Sequence, residues 1–194
     1  ACAFTSGIHN ITGTCYAGGC QAPCPQNTGV DQQQNTPEDG LPGGDGGTLY
    51  QSFTAGKSGL FASFAIRING AYSSTRTVTI RSGEGVGGTM LHVGIWSYSG
   101  INDWQTYTIN PPIEITAGQQ YTLELGADQF GIPGGFVGTA YDSYPGGHFY
   151  YEGYNGVYGD LTFRTTVTSV SDQCTNPNST CQTIEPATGV CVAQ

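Results

Sequence analysis

The feature of this sequence that most constrains its fold is a period-two alternation of apolar and polar residues, repeated in short runs that glycine or proline separates. In residues 60–68, alternate positions from Leu60 to Ile68 are apolar, and Phe61 is the exception on the opposite face. Because successive side chains of a β-strand point to opposite faces of a sheet, this period predicts strands that bury one face. Only 10% of residues are charged and 31 are glycine, a balance that favours turns and pleated sheets over solvated helices.

The alternation begins at residue 49 and predicts about nine strands, a number and spacing typical of an antiparallel β-sandwich. We predict strands at residues 49–54, 60–68, 77–81, 90–98, 104–109, 113–116, 121–125 and 161–167, with one or two more in 135–151. The predicted fold class is therefore all-β, with a jelly-roll-like closure of the two sheets.

Composition divides the chain into three parts. Residues 1–47 form a cysteine-containing arm that ends in a Gly/Pro-rich linker, residues 48–168 form the sandwich domain, and residues 169–194 form a cysteine-rich tail. The tail has too little apolar content to fold unaided, so we expect cross-links within it and docking on the sandwich.

Cysteines occur only near the two ends of the chain, and there are seven of them: Cys2, Cys15, Cys20, Cys24, Cys174, Cys181 and Cys191. We expect disulfides, which require an oxidising compartment, and hence a secreted or cell-surface protein. The glycosylation sequons at Asn10 and Asn178 agree with secretion. Connectivity stays open, and the odd number leaves one cysteine free or paired outside this chain. Zinc at the cysteines 15, 20 and 24 is the alternative, although no CxxC or HxxxH motif completes a ligand set.

Charge excludes two classes of partner. The net charge of -9 would repel nucleic acid and anionic lipid. No stretch approaches the roughly 20 apolar residues that span a bilayer, so we expect no membrane insertion and a chain that has already been processed for export.

The stretch of about residues 50–168 resembles β-sandwich modules of secreted bacterial surface and adhesion proteins. Three pieces carry the resemblance: Tyr50–Gly56 is similar to the opening of that family, Ile115–Leu125 to its middle strand, and Tyr144–Gly147 through Asp160–Val167 to its closing segment. The resemblance implies a sandwich fold and an extracellular setting, with adhesion, anchoring or glycan contact as associated roles. The cysteine-rich ends depart from the plain module and suggest a specialised assembly.

The sequence predicts no catalytic site. The best carboxylate pair is Glu114 and Glu152, because Tyr151–Asn155 resembles the acid/base strand of family 11 xylanases and Pro112–Glu114 is faintly similar to their nucleophile strand. A retaining glycosidase needs two carboxylates about 5 Å apart. The flanking sequence differs from that family, and Glu114 falls in the outward phase of an ordinary strand. The histidines, at positions 9, 92 and 148, stand in no hydrolase motif.

Two sets of side chains are candidates for binding. The tyrosines Tyr141, Tyr144, Tyr150, Tyr151, Tyr154 and Tyr158 could present rings to a sugar face or to a protein. The loop carboxylates Asp39, Asp45, Asp128, Asp142 and Asp160 could supply oxygen ligands to calcium, although such residues also make ordinary turns.

Three functional hypotheses follow, in this order. The first is a non-enzymatic extracellular structural or adhesive subunit that self-associates, with residues 7–12 of the arm as a donated strand and cysteines as cross-links. The second is a glycan-binding module that uses the tyrosine loops, with or without calcium. The third is a jelly-roll glycoside hydrolase.

Overall fold

The structure is a computed structural model that describes residues 2–6, 9–13, 15–16, 19–20, 26–36, 47–68, 73–99, 103–127, 135–151, 159–170, 179–184 and 188–193. The chain divides into two compact units. One comprises residues 29–167, and the other combines residues 1–28 with residues 168–194.

The larger unit is built on two antiparallel sheets, which confirms the predicted β-sandwich. A five-stranded sheet has the order β13 (Phe149–Tyr151), β6 (Leu49–Thr54), β11 (Gln120–Leu125), β8 (Ser74–Ser82) and β9 (Met90–Tyr98). A four-stranded sheet has the order β10 (Asp103–Ile115), β7 (Gly59–Ile68), β15 (Phe163–Val170) and β5 (Gln26–Gln34). A small separate ladder joins β12 (Gly138–Thr139) to β14 (Asp160–Leu161).

The strand pairing follows a jelly-roll pattern. β8 pairs with β9, β7 pairs with β10, and β6 pairs with β11, so that three antiparallel pairs are nested along the chain. β6 and β11, the pair that is furthest apart in sequence, lie beside β8 and β9 in the five-stranded sheet. β7 and β10 lie in the four-stranded sheet. The predicted closure of the two sheets is therefore present.

Aromatic side chains join the two sheets in the core. The rings of Phe53 on β6 and Phe61 on β7 lie 5.4 Å apart, and those of Phe64 on β7 and Trp96 on β9 lie 5.5 Å apart. The prediction that Phe61 lies outside the core is wrong, because this residue is fully buried. The register of β7 against β10 shifts between the pairs Ser63–Thr108 and Phe61–Ile113, and such a bulge changes which residues face the core.

Two element boundaries differ from the sequence expectation. The strands predicted at 104–109 and 113–116 form one bulged strand, β10, which ends at Ile115. Residues 26–34, which the sequence assigned to the arm, form β5 at the edge of the four-stranded sheet. Gln32 and Gln34 in this strand interrupt the apolar alternation on which the prediction of strands depended.

In its described residues, the smaller unit forms three short hairpins. β1 (Cys2–Ser6) pairs with β2 (His9–Gly13), and β3 (Cys15–Tyr16) pairs with β4 (Gly19–Cys20). β16 (Ser179–Ile184) pairs with β17 (Thr188–Ala193). All seven cysteines belong to this unit.

Candidate functional site

Of the two carboxylates considered for catalysis, Glu114 is the one that lies within the described residues. Glu114 is exposed on β10, opposite Leu60 of β7. Glu152 lies outside the described residues. The glycosidase hypothesis therefore stays a prediction.

Tyr144 is a core residue rather than an exposed binding ring. Its ring packs edge-on against Phe163 with centroids 5.2 Å apart, and its hydroxyl donates a hydrogen bond of 2.9 Å to the Gln32 side-chain oxygen. Burial raises the pKa of Tyr144 to about 12. The hydroxyl therefore stays protonated at neutral pH and ties the loop before β13 to β5.

The remaining tyrosines of the set have different surroundings. Tyr141 is 72% exposed, whereas Tyr151 packs partly buried against the core. The Tyr150 hydroxyl donates a hydrogen bond to Glu84, and burial together with this carboxylate raises the pKa of Tyr150 to about 12. Tyr154 and Tyr158 lie outside the described residues. Within the described part of the set, the rings do not form one continuous surface.

Asp160 is the best-defined of the candidate calcium ligands, and its oxygens are already occupied. It is fully buried, and it accepts hydrogen bonds from Gln51 Nε2 at 3.0 Å and from the backbone N–H groups of Ser143 and Tyr144 at 2.9 and 2.8 Å. Burial raises the pKa of Asp160 above its ordinary value, and the three hydrogen bonds oppose this shift. Asp160 thus anchors the 141–147 loop to β6.

Of the other four candidate calcium ligands, one lies within the described residues. Asp142 is exposed, and Asp39, Asp45 and Asp128 lie outside the described residues. Among the residues that are described, no group of three or more His, Cys, Asp or Glu side chains could hold a metal ion. Calcium binding stays a prediction.

Strand β9 at the edge of the five-stranded sheet is the most unusual surface of the described residues. It is nine residues long, and it contains no charged residue and no proline. Val93 and Ile95 are 53% and 73% exposed, and Met90 and Leu91 are exposed as well. On the neighbouring strand, Val93 and Ile95 lie opposite Thr79 and Thr77, so this part of the outer face is uncharged.

The other three sheet edges each carry a feature that discourages pairing with another strand. β13 has only three residues, and β10 contains the consecutive prolines Pro111 and Pro112. β5 contains the charged Asp31, and the Lys57 ammonium group donates a hydrogen bond to the Val30 carbonyl. β9 has one irregularity, a register shift at Leu91, after which seven consecutive residues pair regularly with β8.

The inner face of β9 holds the strand firmly in place. Trp96 and Tyr98 are buried, and their rings lie 4.8 Å apart. The imidazole Nε2 of His92 lies 2.7 Å from the hydroxyl of Tyr107 on β10, and burial lowers the pKa of this histidine below 6.5. The exposed edge therefore belongs to a strand whose inner face is packed into the core.

Sequence reasoning predicted this strand but missed its edge position. The signal was present, because Met90, Leu91, Val93 and Ile95 are apolar while the inward phase already carries Trp96. Two apolar faces on a strand predict burial on both sides or an unoccupied interface. Choosing between them requires the strand order.

Comparisons with known proteins give no relative from which function could be transferred. No protein-family model, no curated protein and no solved structure matches the chain. A search of the described residues for a helix long and apolar enough to cross a bilayer found none.

Proposed function

We propose that this protein is a non-enzymatic extracellular structural subunit that self-associates, and that β9 is the edge where a second copy adds a strand. The observation that carries the proposal is the contrast between β9 and the other three edges of the sandwich. β9 alone combines regular length, an absence of charge and proline, and exposed aliphatic side chains among the described sheet edges.

Strand addition would provide partners for both the backbone groups and the exposed side chains of β9. The outward N–H and C=O groups of β9 would gain backbone partners, each bond contributing about 0.5–1.5 kcal/mol net. The exposed side chains of Val93 and Ile95 would gain apolar neighbours from the added strand on the outer face of the sheet. Each would be covered in part, so its contribution is below the ~1.5–3 kcal/mol of a fully buried side chain.

The proposed partner strand is β9 of a second copy. Two antiparallel copies of one strand are related by a two-fold axis, so each supplies the same uncharged and apolar surface to the other. Donation of residues 7–12 of the arm is the other route to self-association. In the structure β2 (His9–Gly13) is already paired with β1, so this segment would first have to leave its hairpin.

The extracellular setting is supported by the sequence. Seven cysteines and two glycosylation sequons suit an oxidising, secretory compartment, and the stretch of about residues 50–168 resembles secreted bacterial surface modules. Structural and adhesive roles are associated with that resemblance, and the β9 edge supplies a physical means for such a role.

A pair of matched variants tests the proposal. Val93→Lys places a charge on the β9 edge, and Val30→Lys makes the same change at a 44% exposed position on β5. In sedimentation-velocity runs over a concentration series with reductant present, we expect wild-type protein and Val30→Lys to associate. We expect Val93→Lys to weaken association at least about ten-fold, since lysine is a common device against edge pairing.

Two results would contradict the proposal. One is association of Val93→Lys with the affinity of wild type, and the other is a wild-type protein that stays monomeric at every concentration. Negative-stain electron microscopy of the non-reduced protein then shows whether the associated species are closed dimers or filaments.

Glycan binding is the second candidate, and the exposure of Tyr141 favours it. A ring that is 72% exposed on a loop can stack on a sugar face. Binding on a glycan array that is lost in Tyr141→Ala, and retained in Val93→Lys, would assign a lectin-like role to this loop.

A further inference from the structure

We infer that disulfide bonds join Cys15 to Cys20 and Cys181 to Cys191. Cys15 lies directly opposite Cys20 in the β3–β4 hairpin, and Cys181 lies directly opposite Cys191 in the β16–β17 hairpin. These four cysteines therefore form two cross-strand pairs by backbone register alone. The inference does not depend on the proposed self-association.

The backbone geometry of an antiparallel ladder suits such bonds. Directly opposed Cα atoms are about 4.5 or 5.5 Å apart, depending on whether the pair exchanges hydrogen bonds. A disulfide bridges Cα atoms that are about 4.4–6.8 Å apart, so either type of pair falls within its range. Spacing in sequence gave no such information, because six cysteines already allow fifteen pairings.

The two hairpins also need the additional constraint. Each consists of short strands, and a two-stranded hairpin is at best marginally stable in water. A bond across the ladder reduces the conformational freedom of the unfolded hairpin. The two bonds would thus stabilise one hairpin in each of the two segments that form the smaller unit.

Each bond forms by a balanced oxidation. Two thiols lose two protons and two electrons as the S–S bond forms, and the disulfide of a thiol–disulfide oxidoreductase accepts them and becomes a dithiol. Three cysteines then remain, namely Cys2, Cys24 and Cys174. Since three thiols cannot all pair with one another, at least one of them is free or bonds outside this chain.

Peptide mapping of the secreted, full-length protein tests the inference. Thiols are blocked by alkylation without reductant, and trypsin then cuts after Lys57 and Arg164, the first and last basic residues of the chain. This separates the cysteines into an N-terminal peptide with four and a C-terminal peptide with three. Chymotrypsin cuts after Phe4 and Tyr16 and isolates Cys15, and tandem mass spectrometry identifies its partner. We expect Cys20 for this residue. Neither protease has a site within residues 165–194, so the fragment ions of that intact peptide assign Cys181, and we expect its bond to join it to Cys191.

Single substitutions give a second readout with matched controls. Cys20→Ser should expose Cys15 to alkylation, whereas Cys24→Ser should leave Cys15 protected. Cys191→Ser should expose Cys181, whereas Cys174→Ser should leave both Cys181 and Cys191 protected.

Three results would overturn the inference. The first is a linked peptide that joins Cys15 to any other partner, or fragment ions of the 165–194 peptide that place the bond of Cys181 on Cys174; the wild-type protein reveals either one even if a variant does not fold. The second is alkylation of these four cysteines without reductant. The third is protection that a chelator removes, which would show thiolates bound to zinc instead of disulfides.

Discussion

At the scale of single residues, Asp160 illustrates how a buried polar group organises a loop. Gln51 uses its side-chain oxygen to accept from the Leu161 N–H at 2.7 Å, which directs its amide nitrogen toward Asp160 Oδ1. Both carboxylate oxygens of Asp160 therefore face donors. Neither oxygen can be replaced by a donor without leaving two donors in contact.

We therefore expect Asp160→Asn to destabilise the protein although it removes a buried charge. The NH2 group of the new amide would lie against either Gln51 Nε2 or the two backbone N–H groups. Such unsatisfied buried groups cost about 1–3 kcal/mol. The free energy of unfolding in urea measures this. Asp142→Asn, at an exposed neighbouring position, should stay within about 0.5 kcal/mol of wild type. Equal effects of the two substitutions would show that the Asp160 network does not stabilise the loop.

His92 gives a prediction of pH dependence. Burial lowers its pKa in the folded state below 6.5, so below that pH the unfolded chain binds the proton more readily than the folded protein. Stability should therefore fall as pH decreases from 6.5 toward the folded-state pKa. Thermal unfolding between pH 7.5 and 5.5 should show this decrease, and His92→Gln should reduce it. A wild-type slope retained in His92→Gln would show that other groups cause the pH dependence.

Sequence patterns predict residue environments well only where the alternation is undisturbed. Val78, Ile80, Leu123 and Leu125 are buried as their period indicates. Phe61 and Tyr144 have environments that no local pattern reveals, because one depends on a bulge in the partner strand and the other on a glutamine distant in sequence. For this reason the sequence wrongly predicted Tyr144 to be one of the exposed binding rings.

At the scale of elements, the predicted strands follow the structure closely in the sandwich. The ranges 49–54 and 90–98 coincide with β6 and β9. The order of strands in a sheet depends on contacts between residues far apart in sequence, and so the edge position of β9 could not be predicted from its own nine residues. β5 was missed because polar glutamines occupy it.

Close packing between β9 and β10 provides the prediction at this scale. A Cβ atom added at Gly94 would overlap the Tyr107 hydroxyl, and the buried Tyr107 ring packs against Phe64 and Trp96. We expect Gly94→Ala to cost about 1–3 kcal/mol of unfolding free energy through this overlap.

Tyr107→Phe removes the overlapping atom and serves as the second member of a double-mutant cycle. In urea unfolding, Gly94→Ala should cost less in the Tyr107→Phe background than in wild type. An equal cost in both backgrounds would assign the effect to the backbone of β9 instead of to this contact.

At the scale of the whole molecule, the proposed self-association joins surfaces that lack charge on a chain that is strongly acidic. Fourteen acidic and five basic residues give the net charge of -9. β9 contributes no charged side chain. Two copies therefore repel each other at long range, while the surfaces that would meet add neither repulsion nor attraction between charges.

Salt should therefore strengthen association, in contrast to an interface held by ion pairs. The Debye length falls from about 30 Å at 0.01 M ionic strength to about 3 Å at 1 M, so long-range repulsion between copies is largely removed. We expect a gain on the order of 1 kcal/mol, or roughly five-fold in the association constant, between low and high sodium chloride. Sedimentation equilibrium at constant pH measures it, with Val93→Lys as the variant whose association should stay at least about ten-fold weaker than that of wild type at both salt concentrations. Dissociation by salt would instead assign the interface to charged residues away from β9, since this strand has no charge to screen.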